Sequence, residues 1–318
     1  MAEKSKSKEP QTSENIIVAA DHGRLDLVTA LLEGGADPNT VDEIGTSPLH
    51  NAAKGGHWHI ARLLLEKNAS PRIEDGNRAT PLRLAVKAGH QEIVRLLLEC
   101  DPLISETKER ETYRLLRIAA ALGYTEIVQL FLDCNTPTLG SNGEETALHL
   151  AAAKGHHVVC ELLLNHDKAL TRSLWDRMTG PSLEVYSKDY VGNTPFAYAV
   201  EKGHERTVEV FLRSYPEMIF LNHGTDIELK DKQGRRALHV AISAENMGYV
   251  TGATEIIKLL LEHGASVDAK DKDGHNTEYY SNNPKTRMML RNHAATQSKG
   301  ISLPIAPISS APPPEYKA

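Results

Sequence analysis

An alanine that closes a short apolar segment recurs along this chain at Ala19, Ala52, Ala85, Ala119, Ala151, Ala199 and Ala241, in steps of 33, 33, 34, 32, 48 and 42. A fixed period of about 20 to 50 residues leaves few folds open, because each unit is one supersecondary element that cannot bury its apolar face alone. Stacking on neighbours supplies the core instead. Four residues after the first six alanines stands a glycine, at Gly23, Gly56, Gly89, Gly123, Gly155 and Gly203. A histidine follows directly in Gly56-His57, Gly89-His90, Gly155-His156 and Gly203-His204.

Each unit reads as a turn, a short helix, a tight glycine turn and a longer helix. In the stretch from Thr80 to Cys100, Leu82, Leu84, Ala85, Ile93, Val94, Leu96, Leu97 and Leu98 place apolar side chains at helical spacing. The chain has only 4 Phe, 2 Trp and 10 Tyr among 318 residues, so the core must come from Leu, Ile, Val and Ala. That composition favours helices.

The start motifs are Ser47-Pro48-Leu49-His50, Thr80-Pro81-Leu82-Arg83, Thr146-Ala147-Leu148-His149, Thr194-Pro195-Phe196-Ala197 and Arg236-Ala237-Leu238-His239. The exits are Gly35-Ala36-Asp37-Pro38-Asn39 and Gly264-Ala265-Ser266-Val267-Asp268. With these motifs and the Gly-His turns, the chain resembles the ankyrin-repeat family. The resemblance implies an all-α solenoid of helix-turn-helix units with β-hairpin-type loops, about seven repeats and a degenerate C-terminal cap. It spans 14–292, with 1–13 expected to be a disordered N-terminus and 293–318 a disordered Pro/Ser-rich tail.

Departures from the period locate candidate binding features, since insertions in repeat arrays map to loops. The fourth repeat has Arg114-Leu115 in place of the Thr-Pro start, and insertions are expected near 168–188, 214–227 and 246–252. The first of these carries Trp175 and Tyr186. By the resemblance, turn tips and the exposed side of each first helix line a concave groove. Aromatic and aliphatic residues there suit binding hot spots. Ile44, Tyr113, Leu122, Trp175, Tyr186, Tyr190 and Val191 are the candidates for a partner-binding groove.

Other chemistry is thin. The net charge is −6, and no predicted segment gathers Lys and Arg into a phosphate-neutralising stripe, so nucleic acid is disfavoured as a partner. The 3 cysteines lack paired spacing, and Cys100 and Cys134, in equivalent positions of neighbouring repeats, are expected about 8–10 Å apart as packed helices are. A disulfide needs about 7 Å or less, so all three, with Cys160, are expected as buried apolar thiols. His50, His149 and His239 share one motif position, and His57, His90, His156 and His204 sit in the helix-helix turns; both sets read as structural hydrogen-bonders. No metal site, catalytic residue or cofactor is expected. No run of about 18 apolar residues and no signal-peptide h-region occurs, so the expectation is a cytoplasmic, possibly nuclear protein that is neither secreted nor membrane-bound.

Three functions follow as expectations. The leading one is a non-catalytic protein-protein interaction scaffold. The second is an adaptor: Pro313, Pro314 and Tyr316 form a Pro-Pro-x-Tyr sequence that looks like a WW-domain ligand and would recruit, for example, a HECT-type ubiquitin ligase. The third is an enzyme whose apolar pocket is closed by the 168–188 insertion, with Asp189 or His204 as acid or base.

Overall fold

The computed structural model describes residues 15–100, 109–138, 143–174, 184–214, 226–248 and 251–297. Contacts divide the chain into two units, one of residues 1–119 and 124–137, the other of residues 120–123 and 138–318. In the first unit the helices come in pairs: α1 (Ile16–Asp21) with α2 (Leu25–Glu33), α3 (Pro48–Gly55) with α4 (Trp58–Glu66), α5 (Pro81–Ala88) with α6 (Gln91–Cys100), and α7 (Glu109–Leu122) with α8 (Thr125–Asp133). The boundary between the units falls inside α7, after Ala119. First helices pack in the order α1, α3, α5, and second helices in the order α2, α4, α6, α8.

The second unit repeats the scheme with α9 (Ala147–Lys154) and α10 (His157–Leu174), α11 (Pro195–Glu201) and α12 (Glu205–Ser214), α13 (Ala237–Met247) and α14 (Ala253–Glu262), and a last helix α15 (Pro284–Gln297). Here α9, α11 and α13 pack in sequence, as do α10, α12 and α14. Extended pairing among the described residues is limited to the bridges Gly143 to Asp189 and Lys270 to Asn276.

Local sequence explains where these helices begin and end. Ser47, Thr80, Thr146 and Thr194 are extended N-caps whose side-chain oxygens accept the backbone N–H three residues on, which satisfies a donor the helix leaves unpaired. Pro48, Pro81 and Pro195 follow at the first helical position, where a missing N–H costs nothing. Gly56, Gly89 and Gly155 close the first helices at φ 77°, 78° and 76°. That left-handed backbone is cheap only for glycine. The core is aliphatic, as composition required: Leu49, Leu64, Leu97, Leu148 and Leu163 are fully buried.

The irregular places behave differently from the regular ones. Without a Thr-Pro start, α7 extends to 14 residues and buries Thr112, Tyr113, Leu115 and Leu116. Of the expected insertions, the first begins as a continuation of α10 to Leu174, with 175–183 outside the described residues. The second follows Ser214 and, after 215–225, which also lie outside them, meets a 3-10 turn at Asp226–Glu228. The third lengthens α13 to Met247, and α14 starts after Gly252. The last helix runs to Gln297, past the expected limit at Asn292; 1–14 and 298–318 lie outside the described residues.

Candidate functional site

Five hairpins between helix pairs share one device. In each, an aspartate Oδ1 accepts two backbone N–H groups across the turn: Asp42 from Ile44 (3.0 Å) and Thr46 (2.7 Å), Asp75 from Asn77 and Ala79 (both 2.8 Å), Asp189 from Val191 (2.9 Å) and Asn193 (2.8 Å), Asp231 from Gln233 and Arg235 (both 2.9 Å), and Asp271 from Asp273 and His275 (both 2.9 Å). An Asx-type turn of this kind fixes the loop without needing long strands. In the second unit the carboxylates of Asp189, Asp231 and Asp271 are covered while the lysines beside them are exposed; in the first unit Asp42 is itself exposed and Asp75 partly so.

In the second unit the other carboxylate oxygen is used as well. Tyr198 donates its hydroxyl to Asp189 Oδ2 at 2.8 Å, Arg235 pairs with Asp231 Oδ2 at 2.8 Å, and Tyr280 donates to Asp271 Oδ2 at 2.5 Å. The bond to Asp271, followed by burial, pushes the Tyr280 phenol up to about 12. Burial and the Asp189 carboxylate likewise raise that of Tyr198. Asp271, Asp273 and His275 also bring ligand-type atoms within 4.8 Å of one another. Their approach follows from the turn, because both oxygens of Asp271 are already hydrogen-bonded to groups of the hairpin and Tyr280.

The tips outside these turns are stacked on one another. Three tip glycines of the second unit have, where a Cβ would stand, the next hairpin's side chain: the Tyr190 ring at 2.8 Å over Gly143, Lys232 Cγ at 2.9 Å over Gly192 and Lys272 Cγ at 3.0 Å over Gly234, whereas Gly274 in the last hairpin has open space there. Lys272 N–H also donates to Gln233 O at 3.0 Å, and Lys188 Nζ donates to Lys230 O at 2.9 Å. Lys188, Lys230, Lys232, Lys270 and Lys272 are all exposed.

Histidines serve as cross-repeat ties. His50 accepts Ser47 N–H on Nδ1 (3.1 Å), so Nε2 carries the proton and donates to Ala79 O (2.9 Å). His149 does the same with Thr146 N–H and Asn193 O, and His239 accepts Arg236 N–H. Burial lowers the pKa values of His50 and His239. The turn histidines donate from Nε2 to the preceding repeat: His57 to Asp21 O and His90 to Lys54 O in the first unit, His156 to Ala121 O and His204 to Ala153 O in the second. Their rings lie 2.6 Å from the Cβ position of Gly23, Gly56, Gly123 and Gly155. Tyr124 takes that place over Gly89 at 2.8 Å.

Among the residues expected to meet a partner, Ile44, Tyr190 and Val191 are hairpin-tip residues exposed by 66%, 68% and 51%. Leu122 is 45% exposed and ends α7 at the Gly123 turn. Tyr113 departs from expectation: it is 6% exposed, because the longer α7 turns it into the core with Leu115 and Leu116. Tyr186 is half-buried in a 3-10 turn, Glu184–Tyr186. Trp175, Pro313, Pro314 and Tyr316 lie outside the described residues. Ile44 belongs to the first unit, Tyr190 and Val191 to the second.

Three stretches, residues 16–107, 116–218 and 184–271, match the sequence profile described as ankyrin repeats (3 copies). The chain belongs to the ankyrin-repeat family. A crystal structure of the human ASB11 ankyrin repeat domain superimposes with a TM-score of 0.55 at 20% identity, covering 80% of this chain and 98% of that one. Its likeness shows the fold, an all-α ankyrin-repeat solenoid. A 46-residue stretch is 44% identical to the ankyrin repeat-containing protein P1E11.10 of Schizosaccharomyces pombe, covering 14% of this chain. It covers 22% of that protein's length. Among the described residues no helix is long and apolar enough to cross a membrane.

Within this ankyrin frame the acid and base considered for a pocket are both committed elsewhere. Asp189 holds its own turn and Tyr198, and His204 donates to Ala153 O. The cavity beside Asn193 and Thr194 measures about 10 Å³, room for about one water. The thiols also differ from expectation. Cys160 is buried, but Cys100 ends α6 with its side chain exposed and Cys134, just past α8, is only partly covered.

The lysines at the tips of the second unit are the feature the sequence reading missed. They are spread from Lys188 to Lys272, so no single hairpin shows the row, although residues 230–236 already carry four cations against one acid. Aligning the residues that flank each hairpin aspartate exposes them as Lys-Asp-Tyr, Lys-Asp-Lys and Lys-Asp-Lys.

Proposed function

We propose that this ankyrin-repeat protein is a non-catalytic scaffold that binds a protein partner through its hairpin tips and first-helix faces. Ankyrin repeats generally mediate protein-protein interactions. The observation that carries the reading here is the exposure of Tyr190 and Val191 side by side on a hairpin whose backbone Asp189 fixes. A rigidly held aromatic surrounded by polar residues suits a hot spot, since little conformational freedom is lost when a partner covers it. Ile44 offers an apolar tip in the first unit. The test is quantitative affinity capture with the full chain against Tyr190→Asp/Val191→Asp and, separately, Ile44→Asp. Loss of a defined set of partners from the tip variants supports the reading; an unchanged set from both sinks it.

A second reading rests on Pro313, Pro314 and Tyr316, with Pro312 ahead of them. A Pro-Pro-x-Tyr segment suits the aromatic groove of a WW domain, and the scaffold would then act as an adaptor. Titration of the full chain against a panel of WW domains should give binding at about micromolar Kd, abolished by Tyr316→Ala and retained by Glu315→Ala. Binding indifferent to Tyr316→Ala removes the adaptor role and leaves the scaffold untouched.

A further inference from the structure

We infer that the hairpin tips of the second unit form a preorganised basic strip that binds an acidic, extended segment of a protein partner. Three successive hairpins carry it. One row consists of Lys188, Lys230 and Lys270, each directly before a hairpin aspartate. The other consists of Tyr190, Lys232 and Lys272, each directly after one.

The turn chemistry divides the charges. The carboxylates of Asp189 and Asp271 are buried, and every hairpin aspartate accepts its own turn N–H groups. Asp231 is further neutralised by Arg235, and Glu228 by Arg236 at 2.9 Å. Acids are held inward while lysines face solvent. Among the described residues Lys230, Lys232, Lys270 and Lys272 make no ion pair with any acid of the chain. Asp273, at the far tip, is the exposed acid within the strip, and Glu144 and Glu145 lie on the hairpin before it.

The stems are placed as well as the charges. Lys232 runs over Gly192 and Lys272 over Gly234, at distances that only a missing Cβ permits. A lysine whose methylenes rest on backbone keeps its ammonium in water, and with the start of its stem already placed it loses less freedom when an anion arrives. Tyr190, seated on Gly143 in the same way, begins the row with an exposed ring.

Spacing then selects the ligand. Stacked repeats are separated by about 8–10 Å, as packed helices are. An extended chain rises about 3.3 Å per residue, so carboxylates at every third residue meet successive lysine pairs. The fitting partner is an acidic segment of about nine residues, with an apolar side chain near the end that meets Tyr190. This inference rests on the scaffold reading and specifies one partner chemistry for it.

The test uses the full chain and fluorescence anisotropy with a labelled peptide of about nine residues bearing Glu at every third position and one Phe. A Gln-for-Glu peptide and a single-stranded oligonucleotide of equal charge serve as competing probes. Expected are saturable binding of the Glu peptide, at least about tenfold weaker binding of the Gln peptide, and a steep loss between about 0.05 and 0.3 M salt. The variant K230E/K232E/K270E/K272E should lose binding, while E43K/E74K in the first unit should keep it. A melting temperature within a few degrees of the parent shows that the reversal variant is folded; if it is not, the four Lys→Gln changes replace it. Equal binding of Glu and Gln peptides, tighter binding of the oligonucleotide, or binding unaffected by either quadruple variant each overturns the inference. In that event, tip-dependent capture through Tyr190 and Val191 would still stand, whereas a partner set unchanged in both tip variants would mark failure of the scaffold reading itself.

Discussion

The hairpins of the first unit and those of the second are built on the same aspartate turn, yet they present opposite surfaces. At Asp42 and Asp75 the flanking exposed residues include Val41, Glu43, Ile44 and Glu74. At Asp189, Asp231 and Asp271 they include five lysines and Tyr190. The inward chemistry differs too. Asp189 and Asp271 bind tyrosine hydroxyls nine residues on, whereas the corresponding positions after Asp42 and Asp75 are Asn51 and Leu84. The two rings, Tyr198 and Tyr280, stand edge-on to His149 and His239, with centroids 5.9 and 5.6 Å apart. The lesson is that one Oδ1 suffices to hold the hairpin, with Arg78 at φ 56° standing where the other four hairpins have a glycine, which leaves the second oxygen and the outer residues free to vary from unit to unit.

The comparison can be pressed first where the units should not differ. Leu97 in α6 and Leu163 in α10 lie eight residues after Gly89 and Gly155, and both are fully buried. Truncating either to alanine should cost about 2–5 kcal/mol, read from urea melts. A cost below about 0.5 kcal/mol for one of them would mean that the repeat register is not shared.

A smaller effect sharpens the difference between hairpins. Asp189→Ala should destabilise the protein by up to about 1 kcal/mol more than Asp75→Ala, because it also strips from Tyr198 the nearer of its two acceptors, leaving Glu145 Oε1 at 3.1 Å. In a Tyr198→Phe background the gap should close, since the cycle isolates that one contact. A gap that persists would assign the difference to something other than the phenol.

Both units should respond alike, and gradually, to acid. His50 and His239 are buried as neutral rings with pKa values lowered from the ordinary 6.5. A lowered base takes up its proton more readily when unfolded, so its contribution is complete above 6.5 and is lost as pH falls through that value. Urea midpoints should therefore drop between about pH 7.5 and 5, with a smaller drop in His50→Asn and in His239→Asn. Midpoints that are flat, or that rise on acidification, contradict this account of the ties.

The smallest change expected concerns the outer surface. Tyr190→Ala, at a site 68% exposed, should shift stability by no more than about 0.5 kcal/mol while diminishing partner capture. A larger loss of stability would make the ring a structural plug over Gly143 rather than a contact offered outward.

Much of this was readable from residue order. The period, the Thr-Pro caps, the glycine turns and the tying role of the histidines each depend on contacts a few residues apart or on one repeat's distance, and a repeat makes both visible. The burial of Tyr113 is not legible, because its position follows from the length of α7, which no cap residue announces. The exposure of Cys100 is not legible either, because the last turn of a second helix is not buried all round. The lysine strip is not legible along the chain, because folding sums charge across hairpins some forty residues apart.

The rings seated on turn glycines carry a consequence for how such a protein can be recombined. Gly56 has no Cβ because His90 occupies that volume, and Gly89 likewise yields to Tyr124. Among the described residues, the turn glycines from Gly23 to Gly155 thus form sockets, each filled by a plug from the next repeat. An excised repeat stays compatible with new neighbours only if the joints match in size, so duplication in place should be tolerated better than shuffling. The join between the third and fourth repeats, keyed by tyrosine where the others described use histidine, is the one a designer exchanging repeats would have to carry over as a pair.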